Sequence, residues 1–152
     1  MLPVKFYVGA TLSKKALADA VADRLIAEGW EQTFRWDTVE KAEYPAQAEK
    51  ELKGVAQANV FIGLLPGRLG LATELGIALC NRDWLEYEYG PTTQVILWAP
   101  EAKWYTEAED GLHPSVFYAH PSVVRLIGED PVETVASYLF NKGRAHVTFE
   151  YN

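Results

Sequence analysis

A mostly apolar run from Asn59 to Leu65 leads through a turn containing Gly67 and Gly70 into a second apolar segment that reaches Leu79. This order is typical of a buried strand, a glycine-rich turn and a helix. Such units build parallel sheets with helices on both faces. One carboxylate, Glu74, interrupts the helical segment. We therefore expect an acidic side chain at the carboxyl edge of the sheet, where open α/β folds bind ligands.

The rest of the chain repeats this alternation. Further strands are predicted at residues 4–9, 30–36, 94–99 and 123–127. Helices are predicted where Leu17, Val21 and Leu25 form a stripe, after Pro45 with Leu52, Val55 and Ala56 facing the core, and from a capping Asp130 to Asn141. Residues 100–120 show no clear period. We expect residues 1–152 to form a single three-layer α/β domain, flavodoxin-like or Rossmann-like, with about five parallel strands.

Composition and charge limit the possible functions. The net charge of −7 disfavours binding to nucleic acid polymers and anionic membranes, since both need a basic surface. The apolar runs are shorter than the roughly 20 residues that cross a membrane, and the N-terminus shows no signal-peptide pattern. A single cysteine excludes an internal disulfide, and the three histidines share no metal-ligand spacing. We expect a cytoplasmic protein that needs neither a metal nor a cofactor.

The turn after the first strand collects polar groups. Gly9 ends the strand and lets a ligand approach the backbone, while Thr11, Ser13 and two lysines follow at the start of a helix. Hydroxyls, free amides and cations at a helix N-terminus are typical of an anion cradle. The same pattern also fits an ordinary helix cap with solvated lysines.

The turn after the third strand carries a cation and an acid. Arg68 lies between Gly67 and Gly70, and its guanidinium can pair with a phosphate or a carboxylate. Glu74 follows near the positive end of a helix, whose dipole favours the ionised carboxylate that a nucleophile requires. An acid that only complements the dipole would give the same pattern.

Three segments form one recognisable pattern. They are Tyr7–Ala10 in the first strand, Ala58–Val60 at the start of the third, and the Gly-x-x-x-Glu-Leu-Gly-x-Ala sequence of Gly70–Ala78. In this order, over the first two thirds of the chain, they resemble the nucleoside 2-deoxyribosyltransferase family, which includes 2′-deoxynucleoside 5′-monophosphate N-glycosidases. The resemblance implies cleavage or exchange of the N-glycosidic bond of a 2′-deoxynucleoside or its 5′-monophosphate.

The resemblance also implies roles for two residues. In the family, a glutamate attacks the anomeric carbon of deoxyribose, forms a glycosyl ester and expels the base, and a second base or water then resolves the ester. By position, Glu74 would be this nucleophile and Tyr7 would orient it. Gly9 and the turn from Thr11 to Ser13 would shape the sugar or phosphate end. A strand aromatic packed in the core is the other interpretation of Tyr7.

The chain departs from the family at two acids. Asn59 stands where the family usually has an aspartate, and as a base or sugar contact it cannot deliver a net proton. Arg68 lies near the place of a second family aspartate. Asp37, directly after the second predicted strand, is the best candidate to replace them, with Glu40 and Glu43 as further candidates. The loss of both acids also fits a non-catalytic nucleotide-binding, nucleoside-binding or sensor domain.

The C-terminal tail bears on assembly. Family transferases complete each site with residues near the C-terminus of a neighbouring subunit. This chain ends in an aromatic and polar tail that contains Tyr151 and Asn152, so the resemblance implies a homodimer or larger assembly with the tail near a neighbouring site. A frayed terminus is the alternative. A third function, as an interaction protein, would use the aromatic segment from Trp84 to Tyr89 as its contact surface.

Overall fold

The computed structural model describes residues 2–83, 92–109, 111 and 113–152. In these residues one sheet contains five strands: β1 (Lys5–Gly9), β2 (Glu31–Gln32), β3 (Val60–Leu64), β4 (Gln94–Ala99) and β5 (Val123–Ile127). The strand order is β2–β1–β3–β4–β5, and all neighbours are parallel. This is the flavodoxin-like order, in which the winding reverses between β1 and β3. The predicted fold class is confirmed.

The helices form the two outer layers. They are α1 (Lys15–Ala27), α2 (Tyr44–Gln57), α3 (Leu69–Asp83) and α4 (Pro131–Phe140). On one face of the sheet α1 packs beside α4, and on the other α2 packs beside α3. Short 3₁₀ turns precede α1 and α2, and two more lie between β4 and β5. Over the described residues, no helix has the length and apolar character needed to cross a membrane.

The side chains of β1 alternate between the two halves of the core. Phe6 and Val8 pack with α1 and α4, while Tyr7 points to the α2 and α3 side. Tyr7 stacks on Phe61, its register partner in β3, with ring centroids 6.1 Å apart. The central strands therefore hold Tyr7 rigidly, with its hydroxyl aimed at α3.

Two predicted features of the elements are wrong. The second strand contains only Glu31 and Gln32, because the backbone leaves the sheet afterwards and Trp36 joins β1 through its indole N–H, which donates to the Val8 carbonyl at 3.0 Å. Leu52 and Leu17, predicted to face the core, are 53% and 40% exposed. Small residues, notably Ala18, Ala22 and Gly54, meet the core instead. Their size lets each helix approach the sheet closely.

Candidate active site

A hydrogen bond joins the two residues that the resemblance singled out. Tyr7 is fully buried on β1, and its hydroxyl donates to Oε1 of Glu74 at 2.9 Å. Glu74 lies in the second turn of α3 and is partly exposed. The carboxylate thus lies at the carboxyl end of β1, beside the point where the winding of the sheet reverses, which is the usual ligand position in this architecture.

Gly9 makes room for the carboxylate. A Cβ at Gly9 would collide with Oε2 of Glu74 and would lie 2.9 Å from Cδ1 of Leu71. Contacts this short do not occur without a shift of one group. Among the described residues no hydrogen-bond donor meets Oε2, so this oxygen stays available. The predicted close approach at Gly9 is therefore made by a side chain of the protein itself.

The protonation state of Glu74 differs from the expectation. Burial, opposed by the Tyr7 hydrogen bond and assisted by the negative charge of Glu51, raises the pKa of Glu74 to about 8. The helix dipole does not dominate because the residue lies beyond the first turn, where the dipole weakens. This rise in pKa is opposite in direction to the shift that the helix dipole predicts, so burial favours the neutral carboxyl over the ionised one.

Tyr7 remains a hydrogen-bond donor throughout the physiological range. Burial raises its pKa far above the usual value, and the charges of Glu74 and Glu51 and the hydrogen bond to Glu74 act in the same direction. The phenol therefore stays neutral. Its role at this site is to hold Oε1 in one place.

A groove of about 480 Å³ lies on the α2 side of this pair. We call it the aromatic groove, and it is lined by Leu12, Trp36, Asp37, Thr38, Val39, Tyr44, Gln47, Ala48 and Glu51. Asp37 is present, as the sequence predicted, but it is exposed and its Oδ1 accepts the N–H of Thr38 at 2.7 Å. Glu51 was not predicted. Its only sequence signal is its position three residues before Gly54.

A second cavity of about 350 Å³ lies on the α1 side. We call it the hydroxyl groove, and it is lined by Ala10, Thr11, Leu12, Ser13, Arg68, Gly70 and Leu71. The hydroxyls of Thr11 and Ser13 are 3.1 Å apart, and the Thr11 side chain does not cap the 3₁₀ turn that follows it. Arg68 is exposed, and within the described part of the chain its guanidinium makes no hydrogen bond or ion pair. This groove therefore brings together four of the predicted binding residues, namely Thr11, Ser13, Arg68 and Gly70.

Asn59 lies at the opposite edge of the sheet. It precedes β3, and its Oδ1 accepts the backbone N–H of Lys5 at 2.8 Å at the start of β1. The carbonyl of Asn59 accepts the N–H of Thr93 at 2.8 Å. Since β1 and β3 are parallel, their starts lie far from the Glu74 carboxylate. The structure therefore does not bring Asn59, predicted as a base or sugar contact, together with Glu74, and the residue joins neighbouring strands.

The C-terminal tail is folded against its own subunit. Thr148 forms an antiparallel bridge with Leu126 of β5, and the Tyr151 hydroxyl donates to the Tyr105 carbonyl at 2.5 Å. Arg125, which is buried in β5, donates to the Phe149 carbonyl at 3.0 Å. The frayed-terminus alternative is therefore wrong. A role for Tyr151 and Asn152 beside a neighbouring site stays a prediction.

A larger cavity of about 730 Å³ lies on the far side of the α3 start. Pro66, Leu69, Trp104 and Val116 line it, and Arg68 lines both this cavity and the hydroxyl groove. No group of three or more potential metal ligands occurs among the residues whose positions are described. The segment from Trp84 to Tyr89 lies outside the described residues.

Comparison with known proteins does not identify a family for this chain. No protein-family model matches the chain, and the search of curated proteins finds no significant match.

Proposed function

We propose that this chain cleaves or exchanges the N-glycosidic bond of a 2′-deoxynucleoside or its 5′-monophosphate, with Glu74 as the nucleophile. One observation carries the proposal: the buried Tyr7 hydroxyl fixes Oε1 of Glu74 at 2.9 Å, beside Gly9 at the carboxyl edge of the sheet. A carboxylate with one oxygen anchored and the other without a donor is suited to attack at a sugar carbon.

The reaction would proceed in two displacements. Oε2 of Glu74 bonds to C1′ as the C1′–N bond breaks, and the bonding electron pair leaves with the base. Water or a second base then attacks C1′ and releases the carboxylate, so the configuration at C1′ is retained. A 2-deoxy sugar supports the oxocarbenium character of the transition state, and a fixed carboxylate stabilises that charge.

The two grooves offer places for the two ends of the substrate. The aromatic groove presents Trp36 and Tyr44, whose rings suit a planar base, and the amide of Gln47 can hydrogen-bond its edge. The hydroxyl groove presents two hydroxyls and the unpaired guanidinium of Arg68 to the 5′ end. Leu12 lines both grooves, so the two are neighbours and a sugar between them would lie next to this residue.

Base release tests the proposal directly. The protein is incubated with each common 2′-deoxynucleoside and 5′-monophosphate, and free base is measured by chromatography. We expect release that is lost in Glu74→Ala and kept in Glu49→Ala, because Glu49 is an exposed carboxylate on α2 outside both grooves. Intact-protein mass spectrometry should show one added deoxyribosyl unit. No release from any substrate by the unchanged protein would refute the proposal.

A second candidate is a non-catalytic nucleotide- or nucleoside-binding domain. The raised pKa of Glu74, about 8, favours it, since a largely neutral carboxyl suits hydrogen bonding better than nucleophilic attack. Thermal unfolding with the same compounds separates the two functions. A ligand-dependent rise in Tm without base release indicates the binding domain.

We also propose a homodimer or larger assembly. Leu69 and Val116 are 86% and 80% exposed, and both line the cavity beside the start of α3. Apolar side chains grouped in this way are typical of contact surfaces. Light scattering after gel filtration gives the mass directly. A monomer at micromolar concentration would refute the assembly but not the proposed activity.

A further inference from the structure

We propose that Glu51 is the acid and base of this site: it protonates the leaving base and later accepts a proton from the attacking water. This inference rests on the proposed function, because it needs the glycosyl ester at Glu74. It answers a chemical question that the proposed function leaves open, namely which group supplies a proton to the departing base.

The two residues that stand at or near the places of the family aspartates are not suited to supply this proton. Asn59 carries no carboxyl and lies at the other edge of the sheet, and Arg68 is a cation. Asp37 and Glu51 are the two carboxyls in the lining of the aromatic groove, where the base would lie. Asp37 is exposed, whereas Glu51 is partly buried on the face of α2 that meets Tyr7.

The packing of α2 places Glu51 close to the reacting pair. Gly54 lies against the Tyr7 ring, since a Cβ there would be 3.1 Å from Cδ2 and 3.2 Å from Cε2 of Tyr7. Residues three apart share a helix face, so Glu51 lies one turn from this contact. That turn is nearer the carboxyl edge, because α2 begins there. The side chain is therefore on the face of α2 that meets Tyr7 and borders the groove.

One oxygen of Glu51 is held and the other faces no donor. The Gln47 amide donates to Oε1 of Glu51 at 3.0 Å. No described residue donates to Oε2, so this oxygen is free to exchange a proton with a base in the groove. Gln47 thus positions Glu51, as Tyr7 positions Glu74.

Electrostatic coupling supports the same pairing. After burial, which is the largest cause, and the Tyr7 hydrogen bond, which opposes it, the charge of Glu51 raises the pKa of Glu74. The same charge raises the pKa of Tyr7. Both effects place the Glu51 carboxyl within electrostatic reach of the reacting pair.

The proton balance closes over both steps. In the first, Oε2 of Glu74 bonds to C1′, the C1′–N electron pair moves to the base, and the base takes the proton of the Glu51 carboxyl. In the second, the oxygen of water bonds to C1′, the ester electron pair returns to Glu74, and Glu51 accepts the proton of water. In the base-exchange reaction, a nitrogen of the second base bonds to C1′ instead of water, and its N–H gives the proton to Glu51.

A leaving-group comparison tests Glu51. First-turnover rates are measured for a deoxynucleoside and for p-nitrophenyl 2-deoxyribofuranoside, whose nitrophenolate needs no proton to leave. In Glu51→Gln we expect the nucleoside rate to fall about 10²- to 10⁴-fold and the nitrophenyl rate to change less than about tenfold. Glu49→Gln, two residues away on the exposed face, serves as the matched control, and circular dichroism verifies folding of each variant.

The outcomes separate the two claims. Equal losses for both substrates in Glu51→Gln, or no loss for either, overturn the role of Glu51 while Glu74→Ala still shows whether the glycosyl ester forms. If Glu74→Ala keeps the activity, or if the unchanged protein releases neither base nor nitrophenolate, the proposed function fails and the role of Glu51 fails with it.

Discussion

At the scale of single residues, two neighbours act on the Glu74 carboxyl in opposite directions. The Tyr7 hydroxyl stabilises the ionised form through its hydrogen bond, and the charge of Glu51 destabilises it. Burial is larger than either and sets the pKa near 8. Burial at this position therefore lowers the fraction of Glu74 that is ionised at neutral pH, and only the ionised form can act as a nucleophile.

The pH dependence of turnover follows from this pKa. Because only ionised Glu74 attacks, we expect kcat/KM to fall about tenfold for each pH unit below about 8. The measurement is base release between pH 5 and pH 10 at low substrate concentration. A flat profile across that range would contradict the assignment of Glu74 as the titrating nucleophile.

Tyr7→Phe tests the hydrogen bond. The substitution removes the contribution that lowers the pKa of Glu74, so the acid limb of the kcat/KM profile should move to higher pH. We also expect kcat to fall by about tenfold or more, since Oε1 loses its anchor. Tyr138→Phe on α4 is the control and should leave the limb in place. A shift to lower pH would show that the hydroxyl acts differently.

Gly9→Ala tests the close approach. The added Cβ meets Oε2 of Glu74 and Cδ1 of Leu71, so we expect a loss of about 1–3 kcal/mol in the free energy of unfolding, together with loss of base release. Urea unfolding and chromatography measure the two effects. Gly143→Ala is the matched control, because a Cβ there meets nothing within 4 Å. Equal stability of the two variants would argue against the packing at Gly9.

At the scale of elements, local signals define the last helix. Asp130 caps α4 by accepting the N–H of Val132 at 2.9 Å, and Pro131 occupies the first turn. Asp130→Ala should cost about 1 kcal/mol of stability, whereas Asp130→Asn, which keeps an acceptor oxygen, should cost much less. Urea unfolding compares them. Similar losses in both variants would indicate that charge, rather than the capping bond, matters here.

Sequence reasoning succeeded where the signal was local and failed where it depended on packing. The predicted bounds of β4 and β5 match the structure, because apolar runs between turn signals define buried strands. Leu52 illustrates the failure: helical spacing does not reveal that Gly54, beside it, is the residue that lets α2 approach Tyr7. A glycine in a helix is a weak signal on its own.

The candidate site was predicted only in part for the same reason. The Gly-x-x-x-Glu segment and the first-strand tyrosine indicated Glu74 and Tyr7, which the structure joins by a hydrogen bond. Asn59 lies at the other edge of the sheet because it precedes β3, a position that the resemblance alone did not indicate. Glu51 lacks any motif, and only the crossing of α2 over the Tyr7 ring reveals it.

At the scale of the whole molecule, the tail completes one edge of the sheet. Residues 147–149 pair with β5 in antiparallel orientation, through Ile127 N–H to Val147 O at 2.9 Å and Phe149 N–H to Arg125 O at 3.0 Å. Phe149 also stacks on Tyr105, with ring centroids 5.1 Å apart. An uncovered edge strand favours association with other strands. The tail therefore belongs to the fold of this chain.

The stability of the whole molecule should also depend on Glu74. The unfolded chain has an ordinary glutamate pKa of 4.5, whereas the folded pKa is about 8. Between these values the folded protein holds a proton that the unfolded chain has released, so the free energy of unfolding declines as pH rises from 4.5 to 8. Below this window both states are protonated, and above it both are ionised, so the contribution is constant.

Glu74→Gln removes this titration while keeping an acceptor for the Tyr7 hydroxyl. Relative to the unchanged protein, the variant should gain little at pH 4.5 and about 1–3 kcal/mol at pH 9, a figure reduced because the side chain is partly exposed. Urea unfolding at several pH values measures the difference. Glu49→Gln, on the exposed face of α2, should show no comparable rise. If the free energy of unfolding depended on pH in the same way for Glu74→Gln and the unchanged protein, Glu74 would titrate alike in the folded and unfolded chains. Glu74 would then be ionised in the folded protein at neutral pH, and burial would not reduce the supply of the nucleophile.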